Sequence, residues 1–89
     1  MNNEVLIKKF LDNETSLSND HLRIEFNKLV YDNTCIAYKI DNTIYMNRTC
    51  YTNPIAKCQY LLKKNAKNLV ELNYYQLTNL VEEKLGEII

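Results

Sequence analysis

Residues 34–64 constrain the fold most, because strand, turn and helix signals follow one another there. Thr34-Cys35-Ile36-Ala37-Tyr38-Lys39-Ile40 is rich in β-branched and aromatic side chains, which suit a pleated, half-buried surface. Asp41-Asn42 follows, and both residue types tolerate the positive φ of a two-residue hairpin turn. Ile44-Tyr45-Met46 resumes the strand pattern. Asn53 is then a good N-cap, and Pro54 fits the first helical position, where its missing N–H would be unpaired anyway. Strand, turn, strand and helix in succession predict a small α+β domain.

The hairpin register stays open between two readings. A two-residue loop at Asp41-Asn42 sets Tyr38 opposite Tyr45 and mixes polar with apolar residues on both faces. A three-residue loop ending at Thr43 gathers Ile36, Tyr38, Ile40, Ile44 and Met46 on one face. Turn chemistry favours the first and hydrophobic pattern the second; a slip of one residue exchanges the faces.

The rest of the chain is read around this unit. Met1 to Leu11 predicts a helix with Val5, Leu6 and Phe10 as its stripe, Leu11 on the flank, and Asn2 or Asn3 as N-cap. Asp12 to Asp20 is polar and reads as a loop. His21 to Phe26 alternates in the manner of a strand, although Leu22, Phe26, Leu29 and Val30 also fit a helix face; the strand is chosen because a lone hairpin needs a third partner. The helix from Pro54 to Lys64 buries Ile55, Cys58, Leu61 and Leu62. Leu69 to Leu72 reads as a strand. A last helix runs from Tyr74 to Gly86, opened by Asn73 and Gln76 as a capping box, with Leu77, Leu80, Val81, Leu85 and Ile88 inward. The expected architecture is an N-terminal helix, an antiparallel sheet of three or four strands, and two further helices packed against it, in one domain over residues 1–89.

Composition bounds the partners. Lys plus Arg and Asp plus Glu number 11 each, so the molecule lacks both the positive excess of a dedicated duplex-DNA binder and the negative excess of a DNA mimic. No window reads as a membrane span or secretory signal. Three cysteines, Cys35, Cys50 and Cys58, form no CxxC pair and make a poor disulfide framework, so they read as reduced small hydrophobes in a cytoplasmic protein. His21 is the single histidine, and no metal or other cofactor is expected. A chain of 89 residues buries a limited share of its surface, and self-association into a homodimer would cover more.

Two groups of residues are candidates for binding. Lys57, Tyr60, Lys63 and Lys64, with Lys67 just beyond, fall opposite the Ile55 and Cys58 stripe; a basic face with one aromatic can hold a phosphate backbone and stack on a base, though a solvated face reads as well. Seven of the nine aromatics are tyrosines. Tyr31, Tyr45, Tyr51, Tyr74 and Tyr75 cannot all be buried in so small a domain, and tyrosine is enriched at protein interfaces. Tyr45, Tyr74 and Tyr75 are the partner-binding candidates among them. No nucleophile signature, paired carboxylate or glycine-rich phosphate loop is present, and the one glycine, Gly86, reads as a helix terminator. The chain is therefore read as a non-enzyme.

Asn occurs 13 times, Lys 9, Ile 8 and Tyr 7, a bias toward residues with A- and T-rich codons. The run from Thr34 to Lys39, then Ile44-Tyr45-Met46-Asn47 and Tyr51-Thr52, resembles a pattern in small uncharacterised proteins of phages infecting AT-rich bacteria. Those often show an Ile-Ala-Tyr strand, a hairpin, a second strand, and Tyr-Ser or Tyr-Thr before a Thr/Ser-rich helix start with a histidine; this chain has Asn53-Pro54 and no histidine there. In size and composition the chain is also similar to phage-encoded inhibitors of bacterial immunity, anti-CRISPR proteins among them. The resemblance implies a non-enzymatic inhibitor that occupies a host protein in the bacterial cytoplasm. A nucleic-acid-binding regulator using the Lys57–Lys67 face is the alternative.

Overall fold

The computed structural model describes the backbone of residues 1–49 and 51–88 and the side chains of 1–49 and 51–84. Cys50, and the side chains of Leu85 and Ile88, lie outside the described residues. The elements run α1 (Asn3–Leu11), β1 (Ser16–Ser18), β2 (Leu22–Glu25), β3 (Lys28–Tyr31), β4 (Thr34–Ile40), β5 (Thr43–Asn47), α2 (Asn53–Asn65), β6 (Leu69–Leu72) and α3 (Tyr74–Ile88). The class is α+β. Among the described residues the sheet has six strands rather than three or four, in the order in which they occur along the chain. It is mixed rather than antiparallel: β1 to β5 pair antiparallel, and β6 joins β5 in parallel after the crossover through α2.

The extra strands lie on either side of the stretch expected to be one strand. Three successive hairpins use two-residue loops, Phe26-Asn27, Asp32-Asn33 and Asp41-Asn42, and the first residue of each has positive φ, at 55°, 51° and 54°. Asn and Asp reach that region at little cost. Phe26 does not, and its presence at a turn position hides the β2–β3 hairpin from a sequence reading. At the β4–β5 hairpin turn chemistry prevails: Tyr38 pairs with Tyr45 and Ile40 with Thr43 across the two-residue loop. The apolar pattern favouring a longer loop has another cause. Leu29 pairs with Ala37 but Val30 pairs with Cys35, so Ile36 is an extra residue in β4. Such a bulge breaks strict alternation, and Ile36 and Ala37 are both fully buried.

The sheet has two unequal faces. Leu22, Ile24, Leu29, Ala37, Ile44 and Met46 meet Leu6, Ile7 and Phe10 of α1 and Ile55, Cys58 and Leu62 of α2 in one core. Ile7 takes the place expected for Val5, which is exposed, and Leu61 is half-buried at the core edge. The other face carries Lys28, Cys35, Tyr38, Tyr45 and Asn47, and α3 packs there through Leu77, with Leu80 and Val81 half-buried.

Helix ends follow local chemistry with two departures. Asn2 caps α1 by accepting the Val5 N–H at 2.8 Å, and Asn73 and Gln76 form the reciprocal capping box at 2.8 and 3.0 Å. Thr52, not Asn53, is the N-cap of α2, without a side-chain hydrogen bond, so Pro54 falls one position further into the first turn. Gly86 does not end α3, which continues through it to Ile88. A glycine can stop a helix only by turning left-handed, and this one stays helical.

Candidate functional site

The α2 lysines lie on the exposed side of the helix. Lys57, Tyr60 and Lys64, at helical spacings of three and four, are exposed with Lys63, and Tyr60 keeps 63% of its surface in solvent. Lys63 is held by Glu71 of β6 at 3.0 Å, which removes part of its charge from any phosphate. Lys67 is exposed in the α2–β6 connection.

The tyrosines stand elsewhere. Tyr45 is half-buried on the α3 face, cross-strand from Tyr38 and beside Val70. Tyr74 and Tyr75 begin α3, are 49% and 76% exposed, and meet edge to face at 5.5 Å. The structure thus separates the candidates into a lysine face on one side of the sheet and a tyrosine group on the other.

A buried polar knot fixes the tyrosine end. Asn47, 1% exposed, donates to the Cys35 carbonyl beside the bulge and to the Tyr51 hydroxyl, at 3.2 and 3.0 Å, and accepts the Thr49 N–H at 3.0 Å. Gln59 of α2 donates to the carbonyls of Asn47 and Thr49 at 2.7 and 3.0 Å. The Thr49 hydroxyl in turn accepts the Tyr74 N–H at 3.2 Å. One network therefore ties β4, β5 and α2 to the first residue of α3.

No protein-family model, curated protein or solved structure matches the chain. The site is read from its own chemistry. The described residues contain no group of three or more potential metal ligands, and none of their helices is long and apolar enough to cross a membrane. Burial pushes the Cys35 and Cys58 thiols upward, which keeps them protonated and poorly nucleophilic at neutral pH.

Three features escaped the sequence reading. His21 Nδ1 meets the Asp32 carboxylate at 2.9 Å and its ring stacks on Tyr31 at 5.5 Å, so the bond to Asp32 raises the imidazole pKa. Asp32 also accepts the Arg23 guanidinium at its backbone carbonyl. Lys39, 8% exposed, sends its ammonium to the Phe10 carbonyl at 2.6 Å and Asn13 Oδ1 at 2.9 Å, closing the C-terminal end of α1. Phe26, 78% exposed, is the most exposed large hydrophobic side chain described. None of the three was signalled by a motif; the recurring Asn27, Asn33 and Asn42 at second turn positions was the one cue to the hairpin that carries Phe26.

Proposed function

We propose that the chain is a non-enzymatic protein-binding inhibitor, encoded by a phage or mobile element, that acts by covering a host protein in the bacterial cytoplasm, a defence complex being the target class. The observation that carries this reading is the Tyr74–Tyr75 pair: two aromatic side chains kept in solvent at a helix start whose backbone is fixed by a capping box and by Thr49. Exposed aromatics on a fixed backbone lose little conformational freedom on binding and supply the anchors that dominate interfaces. The codon-biased composition and the similarity to small phage proteins support the source and the target class.

The test is capture from a host lysate followed by mass spectrometry, with the Tyr74→Ala, Tyr75→Ala double variant as control. A dominant protein partner lost in that variant, with thermal stability nearly unchanged, is the expected result. Capture indifferent to both substitutions would overturn the reading.

The lysine face supports a second reading, a nucleic-acid-binding regulator, because Lys57, Tyr60 and Lys64 form one continuous exposed stripe. Submicromolar binding to random DNA or RNA, steeply weakened by salt through counterion release and abolished by changing Lys57, Lys63, Lys64 and Lys67 to Glu, would favour it.

A further inference from the structure

The C-terminal end of α1, the β4–β5 hairpin end and the α2–β6 connection converge on a cleft of about 410 Å³. That volume falls within the range of small-molecule sites, about 300–1,000 Å³. Lys39 reaches the cleft from β4 and is only 8% exposed. Its ammonium has three N–H donors. The Phe10 carbonyl and Asn13 Oδ1 take two of them, and no third acceptor stands among the described residues. Burying such a charge brings a desolvation cost that offsets its hydrogen bonds, so its place in the cleft wall points to a use beyond the fold.

Four asparagines from three separate segments, Asn13, Asn42, Asn65 and Asn68, share the lining. Each side-chain amide offers donors and an acceptor, the same functions as a peptide group. Asn13 gives Oδ1 to Lys39, which leaves its Nδ2 for a ligand. Asn65 uses Nδ2 on the Leu61 carbonyl at 2.8 Å, which leaves its Oδ1. The side chains of Asn42 and Asn68 make no hydrogen bond among the described residues. The charged groups of the lining are Lys39, Lys67 and Asp12, and the last turns of α1 and α2 lie beside them. An anion alone would meet Asp12 and two negative helix ends; a cation alone would meet two ammonium groups. A ligand with one charge of each sign at opposite ends, and amides between, satisfies all of them.

We infer that this cleft binds a free di- or tripeptide, with its carboxylate at Lys39 and Lys67, its ammonium at Asp12 and its peptide groups on the asparagine amides. This stands apart from the host-protein reading, and its test uses the purified chain alone. Titration of the isotope-labelled chain with trialanine, followed by NMR, should move the side-chain amide resonances of Asn13, Asn42, Asn65 and Asn68 and saturate with a Kd below about 1 mM. Trialanine amide and N-acetyl-trialanine each lack one terminal charge, and each should bind about tenfold or more weakly, the loss of a charged hydrogen bond. Lys39→Met removes the buried ammonium, and Asn68→Ala removes an exposed amide on which no contact of the fold depends. Both should weaken trialanine binding while the melting temperature stays near the parent's, whereas Lys57→Ala, outside the cleft, should bind as the parent does. No saturable shift at about 10 mM trialanine, equal binding of acetate or inorganic phosphate, equal binding of either blocked peptide, or binding indifferent to both Lys39→Met and Asn68→Ala would overturn the inference.

Discussion

Replacing Lys39 with Met should leave stability at pH 7 within about 1 kcal/mol of the parent, on the neutral or stabilised side, although it deletes a buried charge and two hydrogen bonds. Two charged hydrogen bonds favour the lysine, as does the position of its ammonium 5.1 Å from the Phe10 ring centroid. Against them stands desolvation, the leading reason why the Lys39 pKa lies below its ordinary value, with Asp12 opposing it. Neither acceptor is stranded by the change: the Phe10 carbonyl still accepts the Asn13 N–H at 3.2 Å, and the exposed Asn13 side chain turns to water. Met also keeps most of the buried stem. Lys39→Ala does not, and the loss of three methylenes should cost about 2–3 kcal/mol. The pH dependence separates the charge from the stem. Because the folded pKa is depressed, the unfolded chain binds more protons between that value and 10.5. The parent therefore gains stability as pH rises through this window, and the gain is absent below it. Urea denaturation from pH 7 to 10.5 should show the Met variant lacking that gain, so that any advantage it holds shrinks with pH. A loss above about 2 kcal/mol for Lys39→Met at pH 7 would refute the reasoning and show that the charged hydrogen bonds outweigh desolvation.

Leu62→Ala should cost about 2–4 kcal/mol in chemical denaturation, because Leu62 is fully buried at the centre of the α1–α2 core. Asn47→Ala should cost about 2–3 kcal/mol, since it strands the Thr49 N–H and the Cys35 carbonyl in a buried site, and the near-ultraviolet dichroism of the tyrosines should change with it through Tyr51. Asp32→Asn should lower the His21 pKa, read from the single histidine's Cε1–H resonance. The stabilisation His21 gives is present below its unfolded pKa and lost as pH rises through the raised folded value, so that dependence should weaken in the same variant.

The sequence was most legible where local chemistry and tertiary context agree. The strand Leu69–Leu72, the capping box of α3 and the Ile55-Cys58-Leu62 stripe all stand as local rules place them. Ser16-Leu17-Ser18 carries too little apolar pattern to declare a strand, and only pairing with Leu22–Glu25 makes it one. Lys28–Tyr31 was hidden because Phe26 disguises the turn before it. The bulge at Ile36 made an apolar run look like a register argument. Lys57, Tyr60, Lys63, Lys64, Lys67, Tyr74 and Tyr75 stand exposed while Tyr45 is half-buried, and which side of the sheet each group occupies depends on α2 and α3 crossing opposite faces, which no local pattern encodes.

The agreement between strand order and chain order has a kinetic consequence. From β1 to β5 each new strand needs only its immediate predecessor, across a loop of a few residues. The entropy of loop closure is thus lost in small steps, and the sheet has the low contact order that speeds folding. A chain emerging from the ribosome can extend the sheet strand by strand in the direction of synthesis. Only α2 delays completion, because β6 and the apolar face of α1 both wait for it. Until residues 53–72 have appeared, Leu6, Ile7 and Phe10 lack their α2 partners, and the nascent protein is then most open to aggregation and to proteases.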